Sequence, residues 1–145
     1  MAQASLPSAV HLRLLQFTVV VLSLVPIGAG LAGSIYGMGV FEPASSLGHD
    51  ADSTWRYLSG LLLAIGLGFW TTVPRIEAQG ARFRLLTLLV FTGGLARLTG
   101  LFLVGLPSAA MLGGLVMELL VAPALALWRE RLERHCRDRP PRPDA

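Results

Sequence analysis

Two charged residues, Arg97 and Glu118, interrupt the long apolar stretch Leu85–Trp128 and are the side chains best placed to do chemistry. Arg97 lies ten positions before Pro107 and Glu118 eleven after it, with the turn-forming run Gly105-Leu106-Pro107-Ser108 between the two stretches. If both stretches are helices folded back at that turn, both charges lie about 15 Å below it. That depth is near the middle of a hydrocarbon layer about 30 Å thick, where a lone charge costs at least ~2.5–3.5 kcal/mol. The spacing therefore predicts a buried Arg97–Glu118 ion pair across a hairpin. Intramembrane ionisable groups tend to mark ligand or ion paths, and a guanidinium offers carboxylate or phosphate a planar fork of donors. A buried pair can also simply fix the register of two helices while adding little net stability. Both readings stand.

Arg56 is the third charge near an apolar run, followed by Tyr57. Three placements are open for it: snorkelling to headgroups, pairing with Asp52, or facing inward. Facing inward, it would give the interior two guanidiniums against one carboxylate, an excess suited to an anionic amphipathic ligand. Arg56, Tyr57, Arg97 and Glu118 are thus the candidate ligand-binding residues. Catalysis needs a nucleophile beside a base, or a metal-ligand set. No span contains His or Cys, and no base stands beside a span hydroxyl. Glu118 could accept a proton only if Arg97 left it, since a close cation favours the charged carboxylate. Glu42, His49, Asp50 and Asp52 match no standard ligand spacing, so neither a metal nor a cofactor is expected. The expectation is a protein that is not an enzyme.

The elements that must hold these residues are four apolar runs. The 145 residues are 53% hydrophobic and 14% charged, against roughly 45–50% and 25% in soluble domains. Leu85–Leu106 holds one charge in 22 positions, whereas a soluble helix shows charge on its wet face at every turn. The expected fold class is all-α, an integral membrane four-helix bundle with spans at about 12–36, 55–73, 85–106 and 108–128. Residues 1–11 form a flexible N-terminus and 129–145 an Arg-rich tail, helical for a few turns through the pairs Glu130/Arg134 and Glu133/Arg137. A cleaved signal peptide is the alternative for the first run, but a cleavable apolar region is usually about 7–15 residues. All twelve basic residues are Arg and six lie beyond Trp128. No basic stripe with interleaved aromatics appears, which argues against nucleic acid. Cys136 is the single cysteine and excludes an intrachain disulfide.

Small residues mark where helices should approach. Ala29, Gly33 and Gly37 form one stripe, Ser59, Gly60, Gly66 and Gly68 thin the second span, and Pro26 is expected to kink the first. On the third span Gly93 (beside Gly94), Arg97 and Gly100 share a stripe, matched by Gly114, Glu118 and Ala122 on the fourth. Asp52, Ser53 or Thr54 is the expected cap of the second helix. Ten arginines fall on one side of a four-span arrangement and Arg56 alone on the other. The positive-inside rule then puts both termini in the cytoplasm.

With these positions located, the chain resembles the bacterial domain-of-unknown-function family numbered 4345. The likeness rests on Arg56-Tyr57-Leu58-Ser59-Gly60, Phe83-Arg84, Gly93-Gly94-Leu95-Ala96-Arg97-Leu98, Gly105-Leu106-Pro107, and Glu118 followed by Pro123. It covers most of the chain from the acidic loop to Trp128. The resemblance implies a small four-span membrane protein and transfers no functional residue. A looser, purely architectural likeness is to the DoxX-like group of four-span proteins. Two functions are compatible: binding or conducting an amphipathic or anionic molecule or lipid, or serving as a non-catalytic subunit packed on its own copies or other membrane proteins through Gly-rich faces.

Overall fold

The computed structural model describes residues 6–40 and 48–137. The expected side-chain roles of Glu42, Cys136 and the Glu133/Arg137 pair, and the end of the tail, lie outside the described side chains. Helix α1 runs Leu6–Tyr36 and is followed by a 3-10 turn, Gly37–Val40. Helix α2 runs His49–Thr72, with a 3-10 turn Val73–Arg75, and α3 runs Gly80–Leu103. A fourth continuous helix consists of α4 (Ala109–Val116), a π-helical turn (Met117–Val121) and α5 (Ala122–Arg137). All four are long and apolar enough to cross a membrane, and no strand occurs among the described residues. The all-α, four-helix membrane class is the one expected from the sequence.

Helices α1, α2 and α3 begin at Leu6, His49 and Gly80, ahead of the spans expected from about 12, 55 and 85. Helix α2 starts a turn early, at Gly48 as N-cap, without a side-chain cap bond. Asp50 and Asp52 instead occupy its first turn, where their charge complements the helix dipole. The fourth helix begins as expected, with Ser108 accepting from the Met111 amide. Gly105 ahead of it has φ +119°, a conformation closed to residues with a Cβ.

The chain divides into two compact units: residues 18–73, and the first helix up to Phe17 together with Pro74 onward. In the 18–73 unit, α1 and α2 run antiparallel along a seam of small residues. A Cβ at Gly30 would meet the Leu63 amide nitrogen at 2.5 Å and Ser59 O at 2.7 Å. One at Gly33 would collide with the Ser59 side chain, and one at Gly66 would meet Ile27. The buried string is Val19, Ser23, Gly30 and Gly33 on α1 and Gly37 at the start of the 3-10 turn, in steps that are sums of three and four. That spacing keeps one helix edge on a partner. Gly30 therefore takes the place expected of Ala29, which is exposed. Pro26 lies within α1 without ending it. Gly60 stands at the seam's edge, with only Ser34 Oγ at 3.9 Å.

In the other unit α3 packs along α4, the π turn and α5. Its buried string is Gly80, Phe83, Thr87 and Gly94. The expected stripe of Gly93 and Gly100 is corrected here. No atom lies within 4 Å of a Cβ at either position, whereas a Cβ at Gly94 would come 2.9 Å from Glu118 Cβ. Gly93 and Gly94 flank the direction of Arg97 by about 40° and 60° on opposite sides, and it is the Gly94 side that lies against the fourth helix. Gly93→Ala and Gly100→Ala should each raise stability by about 0.5–1 kcal/mol, because a helical glycine carries an entropic cost and no clash opposes the methyl. Unfolding of each variant in the same detergent checks this, and a loss above about 1 kcal/mol would refute the assigned edge.

Candidate functional site

Arg97 and Glu118 meet, as the hairpin spacing requires. Arg97 Nε lies 3.4 Å from Glu118 Oε1. In helices the Cα–Cβ bond tilts toward the N-terminus, so Glu118 leans back over Gly114, one turn nearer the hairpin bend. A Cβ at Gly114 would sit 3.5 Å from Arg97 Nη1. That is ordinary contact distance, so the guanidinium lies directly against the fourth helix at Gly114. Arg97 Nη1 donates to Met111 Sδ at 3.3 Å, and Met111 lies in the first turn after Ser108. The guanidinium thus extends from the depth of Glu118 toward the bend.

The pair is not buried, contrary to the sequence-based expectation. Glu118 is 16% exposed, but Arg97 is 43% exposed. The arginine stem is long enough to carry its head past the edge of the α3–α4 contact. The acid is enclosed and the cation looks outward. Glu118 Oε2 is inaccessible and makes no hydrogen bond.

The backbone under Glu118 is also irregular. Ala122 N–H bonds to Met117 O, five residues back. Pro123 has no N–H and its ring conflicts with the carbonyl four residues before it. One extra residue in the turn accommodates the proline, and π turns of this kind are common at functional sites. The sequence signal was Pro123, five residues after Glu118.

Arg56 has a different fate. Its Nε donates to Asp52 Oδ2 at 2.7 Å, and its Nη1 donates to Ser34 O at 3.0 Å and Ile35 O at 2.7 Å. Asp52 Oδ1 accepts from Met38 N at 2.9 Å. The guanidinium satisfies the last carbonyls of α1, which have no helical partner of their own. Gly37, φ +62°, forms the bend under it, and a Cβ there would collide with Asp52. Of the three placements open from the sequence, pairing with Asp52 is the one observed. The excess of two inward guanidiniums over one carboxylate is absent, because Arg56 is balanced. Tyr57 beside it is exposed. Arg56 and Tyr57 belong to the 18–73 unit and Arg97 and Glu118 to the other.

A second arginine of the same kind was missed. Arg129, expected to open a solvated tail, is 1% exposed. Its Nε donates to Ile76 O and its Nη2 to Glu77 O, both at 2.7 Å, while Nη1 stands 3.0 Å from Glu133 Oε2. A Cβ at Gly80 would lie 2.6 Å from its Nη2. The carbonyl partners lie more than fifty residues away, and no local pattern announces them. The hydroxyls of Ser23, Ser34 and Thr87 are each spent on the carbonyl four residues back.

Four membrane-length helices, with an arginine and a glutamate meeting on the last two, define a small multi-pass membrane protein. The chain belongs to the family described as a domain of unknown function (DUF4345), whose model matches residues 14–129. No curated protein and no solved structure matches it.

Proposed function

We propose that the protein binds an amphipathic anion, a small molecule or a lipid, with its charged head at Arg97, and that it acts by binding rather than catalysis. One observation carries this reading. A guanidinium has five N–H donors, and here one meets a thioether, a weak acceptor, while Nε makes only a loose ion pair. The Arg97 side chain is 43% exposed, and hydrocarbon around the hairpin would offer its remaining donors no acceptor. An anionic head group supplies it, and the ligand's tail lies on the exposed apolar surface around Val104, seven residues on from Arg97 and so on its side of the helix. The setting we propose is a bacterial cytoplasmic membrane with both termini inside, since the arginines crowd one side.

Native mass spectrometry of gently extracted protein tests this. The wild type should carry a bound anionic amphipath, and Arg97→Gln should remain folded and inserted but lose it at least about tenfold, the equivalent of ~1.4 kcal/mol. A wild type free of such ligands counts against the proposal.

A second reading, a subunit packing on other copies or on other membrane proteins, is favoured by the outward-facing Gly93 and Gly113, with open space beside them. Gly33 cannot discriminate, because it is enclosed within its own chain. Gly93→Leu should alter the crosslinking pattern in native membranes if this reading holds; an unchanged pattern rejects it.

A further inference from the structure

We infer that anion binding at Arg97 is coupled to protonation of Glu118, so that each bound anion brings one proton with it. This rests on the binding reading above and adds its stoichiometry and its pH dependence. The elements packed against the π turn are α3, α4 and α5. On α3 the other charged groups are Arg82 and Arg84, fifteen and thirteen residues before Arg97, about 20 Å along the axis. Helix α4 carries no charged or titratable residue, and α5 carries none before Arg129, eleven residues beyond Glu118. Arg97 is therefore the one cation that faces this carboxylate from those elements.

The two are held loosely. Only Oε1 reaches the guanidinium, at 3.4 Å, and Oε2 is enclosed without a donor. An anion engaging Arg97 on its outward side competes for the same planar fork. With the anion in place one guanidinium would face two negative charges in apolar surroundings, and it no longer balances Glu118. A carboxylate enclosed among apolar groups without a cation is strongly disfavoured and neutralises by taking a proton. The balance closes: before binding the site holds one positive and one negative charge, and afterwards a guanidinium, the anion and a neutral acid. One proton has moved from water to the Glu118 carboxyl, and net charge is unchanged. No oxidant or other reactant enters.

The sign follows from linkage. Where free Glu118 is ionised and bound Glu118 is protonated, the complex holds one more proton than the apo protein. Affinity then falls about tenfold for each pH unit of increase. Below the range where free Glu118 ionises, this dependence disappears.

The test uses the full chain in neutral lipid nanodiscs and hexadecanesulfonate as probe, an anion that stays ionised throughout. Binding is measured from pH 5 to 9, with proton uptake in weakly buffered solution. Over at least two pH units we expect Kd to rise about tenfold per unit, with about one proton taken up per anion. Glu118→Gln should bind with a pH-independent Kd, and Glu118→Asp should restore the slope. The proton count on the wild type needs no variant, so a misfolded Glu118→Gln leaves the test intact. Probe binding with a flat pH profile and no proton uptake overturns the coupling and leaves the binding proposal standing. A slope that persists in folded Glu118→Gln also overturns it. No probe binding at any pH overturns the binding proposal itself.

Discussion

Arg129→Ala should destabilise the protein by about 3–5 kcal/mol, the largest effect expected of any single change in the chain. The guanidinium is enclosed and holds two main-chain carbonyls, Ile76 O and Glu77 O, together with Glu133. Its removal strands both carbonyls, each costing about 1–3 kcal/mol where water cannot reach. Glu133 is partly exposed and rehydrates, so it adds little. Arg129→Lys should recover only part of the loss, because an ammonium on a flexible stem cannot span Ile76 and Glu77 as a rigid fork does. Gly80→Ala should reproduce much of the defect by a different route, pushing the guanidinium off its carbonyls. Reversible unfolding in mild detergent measures all three. A loss below about 1 kcal/mol for Arg129→Ala would mean that the clamp is ornamental.

Gly30→Leu should come next, at about 3 kcal/mol or more, and even Gly30→Ala should lose about 2 kcal/mol. The atoms a Cβ would meet are main-chain atoms of Leu63 and Ser59, none of which can swing aside. The two helices must separate, and every contact along their seam loosens with them. Gly60→Ala is the matched control. Its neighbour, Ser34 Oγ at 3.9 Å, is in ordinary contact distance. The methyl should therefore be tolerated or add about 0.5–1 kcal/mol through better helix propensity. Equal behaviour of the two alanine variants would remove Gly30 from the seam.

The four helices were legible because length and apolarity alone decide a span, and the meeting of Arg97 with Glu118 because equal distances from one turn fix equal depths. Phase about each axis was not. A soluble helix announces its buried face by the polar one opposite, but a helix surrounded by lipid and by other helices is apolar all round. Gly28, Ala29 and Gly30 are all small, and so are Gly93 and Gly94; the sequence offers no reason to choose Gly30 or Gly94. Exposure of Arg97 escaped for a related reason, since depth along a helix says nothing of how far a long side chain leans outward. Arg56 and Arg129 satisfy carbonyls on other segments, through contacts set by tertiary approach. Their nearby acids, Asp52 and Glu133 at i−4 and i+4, were the only local clue.

The contact between Arg97 and Glu118 is tested most directly by a double-mutant cycle with Arg97→Met and Glu118→Leu, read as stability in lipid nanodiscs. Each single change leaves one charge without its partner in apolar surroundings and should lose about 2 kcal/mol or more. The double variant should lose far less, giving a coupling energy of about 1–3 kcal/mol. Single losses that simply add, within about 0.5 kcal/mol, would show that the two charges do not sense each other.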